Sequence, residues 1–157
     1  MMGRPGKGEG TIEAQRLFKT GAALVAVLAA YQIALGFYFA LLRPPLLPED
    51  VRFAATTASR LAAAAPTLAA WLAWVFTVVG GQMGAVGLLL AVLVPRLWRG
   101  RVPEFLEIVA FAAAGLASVA LMSAVNFTIG SDFRWLLLVP VLIWILALAA
   151  MVRLRSV

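Results

Sequence analysis

Residues 71–94 read WLAWVFTVVGGQMGAVGLLLAVLV, a run with no charged side chain and a single amide, Gln82. At about 1.5 Å per residue an α-helix of this length crosses a hydrocarbon core of about 30 Å. Three further runs share this character: Leu17–Leu42, Phe105–Phe127 and Phe133–Val152. Their charged residues, Lys19, Glu107 and Arg134, sit close to an end, and none lies deep inside. The expected fold is all-α: a polytopic four-transmembrane-helix bundle with spans at about 17–42, 71–94, 105–127 and 133–152. Residues 17–157 form one expected domain, preceded by a mobile cytoplasmic segment at 1–16.

Composition agrees with this reading. Hydrophobic residues make up 64% of the 157-residue chain, against about 45–50% in soluble domains, and the mean hydropathy is +0.99. Cysteine and histidine are absent. Disulfides, thiolate nucleophiles, imidazole bases and the usual zinc or haem ligands are therefore missing. No metal or other cofactor is expected, and the chain reads as non-catalytic. Buried charges in a bilayer usually mark ion paths and proton relays, and these spans offer none.

The net charge of +6 does not point to nucleic acid, because the basic residues flank the spans. Arg4, Lys7, Arg16 and Lys19 precede span 1, Arg96, Arg99 and Arg101 follow span 2, and Arg153 and Arg155 follow span 4. The opposite side holds Arg43, Arg52, Arg60 and Arg134. The positive-inside rule then puts both termini in the cytoplasm. Span 1 is too long for a cleaved signal peptide, so a bacterial inner membrane is the expected location.

The connections carry their own signals. Arg43-Pro44-Pro45 stops span 1, and Pro48-Glu49-Asp50 has the proline and acids of a helix start. From there Glu49, Arg52, Thr56, Ser59 and Arg60 share one helical face, while Val51, Ala54, Ala55, Ala58 and Leu61 take the other. The expectation is one short amphipathic helix on the outer surface, either at rest there or serving as a lid or docking surface. Glu107 should pair with a nearby arginine or Lys19, and Ser131 or Asp132 should cap span 4.

Two stripes of small residues recur at helical spacing. One runs through Gly80, Gly84 and Gly87 of span 2, with a GxxxG pair. The other runs through Ala113, Ala117 and Ala120 of span 3. Small faces let helices approach closely in lipid, so spans 2 and 3 are expected to pack together, or against another chain. Span 4 is apolar on every side, and Trp135, Pro140 and Trp144 mark a face for docking on a larger membrane protein or for contact with lipid.

Depth along the spans places Tyr31 and Gln32 of span 1, Gln82 of span 2 and Ser118 of span 3 near one level. An unsatisfied amide in hydrocarbon costs several kcal/mol, so Gln32 and Gln82 are expected to face the interior and share a polar patch with Tyr31 or Ser118. The patch serves either as a helix-to-helix hydrogen bond or as a headgroup contact for a lipid, quinone or isoprenoid. The outline of four spans with a proline-bearing outer connection after the first resembles small DoxX-type bacterial membrane proteins in architecture alone. The expected function is that of an accessory or structural subunit stabilising a larger membrane complex or a homo-oligomer, in contact with membrane lipids. The alternative is a binder or carrier of an apolar small molecule.

Overall fold

The computed structural model describes the backbone of residues 7–156 and the side chains of residues 12–156. Among the described residues the chain is all-α with six helices. Helix α1 spans Lys7–Phe37 and continues through a π-helical turn at Tyr38–Leu42. Two short helices follow, α2 at Pro48–Phe53 and α3 at Ala58–Ala64. Helix α4 spans Leu68–Ala91 and resumes as Leu93–Trp98 after Val92. Helix α5 comprises Phe105–Gly115, a π-helical turn at Leu116–Ala120, and Leu121–Thr128. Helix α6 spans Leu138–Leu154.

Three helices are long and apolar enough to cross a membrane: Ile12–Leu42, Leu68–Trp98 and Phe105–Thr128, with 31, 31 and 24 residues. The chain is by these measures a multi-pass membrane protein. At 17 residues, α6 is shorter than the roughly 20 residues that span a hydrocarbon core. Large apolar side chains point outward throughout, with Leu89, Trp74 and Leu106 all more than 70% exposed. Such surface is tolerated where acyl chains cover it.

Several boundaries differ from the sequence expectation. Helix α1 begins at Lys7, so the helix extends into the segment read as mobile; residues 1–6 of that segment lie outside the described residues. The fourth helix starts at Leu138, not at Phe133. Proline lacks an N–H and disfavours helix in the residue before it, so Pro140 fits in the first turn of α6 and does not kink its middle. Ahead of it the chain runs through tight turns, in which Arg134 N–H reaches Ser131 O at 3.2 Å and Leu138 N–H reaches Trp135 O at 3.3 Å.

The single outer helix expected over 48–61 is split in two. Ala55 takes a positive φ of 50°, and the Thr57 hydroxyl accepts the Arg60 N–H at 3.3 Å to cap a new helix. β-Branched Thr56 and Thr57 favour such an interruption over a continuous helix.

Packing also departs from expectation. The glycine stripe of α4 faces α1, while α4 and α5 scarcely touch. A Cβ at Gly36 would lie 2.6 Å from the Gly80 carbonyl oxygen, and one at Gly87 would lie 2.8 Å from the Ala29 carbonyl oxygen. The backbones of α1 and α4 are thus in direct contact, and only glycine fits there. The Thr77 hydroxyl lies within hydrogen-bonding distance of Ala40 O in α1 at 3.3 Å and of Ala73 O at 3.0 Å. Gly84 differs from its neighbours, since a Cβ there would meet nothing within 4 Å. On α5, Ala113 and Ala117 are exposed and Ala120 is half-buried. A stripe of small residues marks where approach is possible; it does not name the partner.

The apolar core occupies one half of the bundle. Ala22, Val25 and Leu28 of α1 meet Leu97, Phe111 and Met151 from the other long helices, all nearly inaccessible. Gly115 leaves a notch that the Trp144 ring fills, and the indole N–H donates to Phe111 O at 3.3 Å. The opposite half of the bundle has no such filling.

Candidate functional site

That opposite half holds a half-open cavity of about 1080 Å³ between α1, α4, α5 and α6. Ligand pockets commonly measure about 300–1,000 Å³, so this one is large for its chain. It exists because α1 packs against α4 and α6 packs against α5, while α4 and α5 stay apart. The core side chain Leu28 belongs to its lining, and one end reaches Arg43, Glu49 and Asp50. Both π-helical turns border it, through Tyr38 and Phe39 in one and Ala117 and Ser118 in the other. A π-turn widens the helix by one residue and breaks the regular ladder. In the second turn the Ser118 hydroxyl compensates by donating to Ala114 O at 2.6 Å.

Tyr31, Gln32, Gln82 and Ser118 all line this one cavity. No hydrogen bond joins them to one another among the described residues, so the helix-to-helix glutamine bond is not formed. Gln32 is 1% exposed and belongs to the cavity lining. The Tyr31 hydroxyl is buried and has no hydrogen-bond partner. Gln82 is exposed on the open side, between α4 and α5. The rest of the lining is overwhelmingly apolar, including Val79, Val86, Leu121, Val125 and Ile143.

A charged network lies at that end. The Arg43 side chain is only 8% exposed and pairs with Asp50 at 3.0 Å. Its guanidinium also lies 3.7 Å from the centre of the Phe76 ring and donates to Pro44 O at 2.9 Å. Asp50 accepts the Leu47 N–H at 2.9 Å, which starts α2 beside Arg43. Glu49 points the other way. It is 5% exposed and accepts from the Ser131 hydroxyl at 3.3 Å. Arg52 meets Asp132 at 3.0 Å on the outside. Helix α2 is thus strapped to the end of α1 and to the α5–α6 connection, across the cavity mouth.

Sequence reasoning placed Glu49 on the exposed polar face of a continuous helix, and the structure buries it. It also read Arg43 as a charge count for orientation and as part of the Arg43-Pro44-Pro45 stop, not as a partner of Asp50. The available signal was the complementarity between Glu49-Asp50-Val51-Arg52 and Ser131-Asp132, which a helical wheel of one segment does not register. Ser131 takes part in the strap and also accepts the Phe133 N–H at 3.2 Å, but neither it nor Asp132 caps the fourth helix as expected, because that helix starts only at Leu138, after Leu137 and without a side-chain cap.

The remaining expected residues fall elsewhere. Trp144 and Pro140 are buried, so they do not form an outer docking face. Trp135 is 65% exposed, its ring edge-on to Phe127 with centroids 5.1 Å apart. Glu107 pairs with Arg96 and accepts the Glu104 N–H at 2.9 Å, so it serves the α5 N-terminus at the opposite end from the cavity. A shallow recess of about 400 Å³ near that end, lined by Glu104, Phe105 and Arg155, lies at the surface.

Compared with known proteins, the chain matches no protein-family model, no curated protein and no solved structure.

Proposed function

We propose that this protein holds an apolar small molecule of the lipid, quinone or isoprenoid class inside the membrane, in the cavity between α1, α4, α5 and α6. The observation that carries this reading is the Tyr31 hydroxyl. It is buried without a hydrogen-bond partner and belongs to the lining of a largely apolar cavity of about 1080 Å³. Burying a hydroxyl unpaired costs several kcal/mol in hydrocarbon. A ligand carrying a hydrogen-bonding group offsets that cost, and the buried Gln32 amide offers a second contact one residue away.

In this reading the chain crosses the bilayer four times, with α6 as the shortest crossing completed by the turns that precede it. Both termini face the cytoplasm of a bacterial cell, as the arginine and lysine distribution supports. Helices α2 and α3 rest at the outer surface, with α2 as a cover over the cavity. The separation of α4 and α5 supplies a side entrance from the acyl-chain region, so a ligand need not cross water. No reacting group is assigned, and the role is binding or carriage.

The accessory-subunit reading is supported by exposed apolar faces such as Leu89 and Leu106, but acyl chains cover those equally well. The cavity is the feature it leaves unused.

Lipid extracts of the purified protein, analysed by mass spectrometry, test the proposal. Wild type should carry an enriched apolar species that Gln32→Leu and Gln82→Leu lose while remaining folded. Identical extracts from all three would contradict it.

A further inference from the structure

Resting on the reading of the cavity as a binding site, the charges at its mouth specify the headgroup. We propose that the cavity takes an amphiphile with a cationic, ammonium-type head, seated on the Glu49 carboxylate, with its apolar tail running toward Gln32 and Gln82.

Glu49 is 5% exposed and lines the cavity. A carboxylate offers about four lone-pair positions, and only the Ser131 hydroxyl at 3.3 Å uses one. None of the ion pairs among the described residues includes Glu49. The nearby cations are committed elsewhere. Arg43 is held by Asp50, by Pro44 O and by the Phe76 ring. Arg52 is held by Asp132 on the outer side. Arg134 donates to Gly130 O at 3.3 Å and to Ser131 O at 3.1 Å. The mouth thus holds Arg43, Arg52 and Arg134 against Glu49, Asp50 and Asp132, and Glu49 is the one of these carboxylates without an ion-pair partner among the described residues.

A buried carboxylate is stable only when paired or well hydrogen-bonded. An ammonium group supplies both terms, with N–H donors or a diffuse positive charge. Tyr38 and Phe133 line the same end of the cavity, and aromatic faces favour a quaternary or primary ammonium through their quadrupoles. An anionic head would face Glu49 and Asp50 together and find Arg43 already engaged. The unpartnered Tyr31 hydroxyl deeper inside suits a polar atom further down the same molecule, such as an ester or carbonyl oxygen.

The test uses the full chain in maltoside micelles, read by native mass spectrometry. Dodecylammonium, dodecanol and dodecyl phosphate share a tail and differ in head charge. Dodecylammonium should bind tightest, and Glu49→Gln, which keeps an acceptor for Ser131, should weaken it about thirtyfold or more while leaving dodecanol unchanged. Should Glu49→Gln fail to fold, the ranking of the three probes on wild type decides alone. Equal binding of the three, or preference for the phosphate, overturns the headgroup assignment and leaves the cavity reading standing. Binding of none overturns both. A parallel arm offers phosphatidylethanolamine and phosphatidylglycerol of matched chains. Preferential retention of the amine lipid, lost in Glu49→Gln, supports the assignment with a membrane lipid as source. Dodecylammonium binding without that preference supports it with a single-chain amphiphile as source.

Discussion

The Ser131 hydroxyl donates to the Glu49 carboxylate at 3.3 Å, tying the α1–α4 connection to the α5–α6 connection across one end of the bundle. The bond is buried, whereas the neighbouring Arg52–Asp132 pair is more than half exposed on both sides. The two contacts hold the same helix but differ in what their loss should do. Ser131→Ala strands a buried acceptor and should cost about 1–3 kcal/mol. Arg52→Ala removes a solvent-screened pair and should cost less than about 1 kcal/mol. Thermal unfolding in maltoside checks the order, and a larger loss from Arg52→Ala would contradict the strap.

The glycines of α4 should behave differently from one another. Gly80→Ala drives a methyl into the α1 backbone at Gly36 and Ala40 and should destabilise by about 1–3 kcal/mol. Gly84→Ala meets open space, and alanine favours helix over glycine by about 0.5–1 kcal/mol. Its melting temperature should hold or rise. Equal losses at the two positions would point to a partner on the Gly84 face.

Gly115 and Trp144 form a coupled pair. Gly115→Ala alone collides with the indole and should lower the melting temperature. Adding Trp144→Leu should recover much of that loss, because neighbouring substitutions are non-additive. Additive losses would mean that the notch is filled by something else.

At the other end, Arg96 pairs with Glu107, whose side chain is 17% exposed. Arg96→Ala leaves that carboxylate without its cation and should cost about 1–2 kcal/mol after allowing for partial hydration. Glu107→Gln in the same background should restore part of it. A neutral Arg96→Ala would show that the Glu104 N–H alone satisfies Glu107.

Much of this arrangement was legible in the sequence, and the failures have physical causes. Apolar length located the three membrane-length helices and the apolar content of α6, because hydrocarbon thickness fixes the number of residues needed. Depth counting put Tyr31, Gln32, Gln82 and Ser118 at one level, and all four line one cavity. The same counting could not tell whether they bond to each other, since depth does not say which way each side chain turns about its helix. Periodicity identified the Gly80–Gly87 face, but a face does not carry its partner's name, and α1 with Gly36 took the place expected for α5. Glu49 was misplaced because one helical wheel was applied across residues 48–61, and the positive φ at Ala55 breaks that wheel after a single short helix. The late start of α6 follows from Pro140, whose effect extends into the residues before it.

The most direct test of the central claim fills the cavity without touching its polar groups. Ala117 lines the cavity on α5, so Ala117→Phe should project a ring into the space where the ligand lies. Native mass spectrometry of wild type, gently released from maltoside micelles, should show a retained adduct of lipid-like mass. The same measurement on folded Ala117→Phe should show bare protein. Bare protein in both, or the same adduct in both, would contradict an intramembrane binding site.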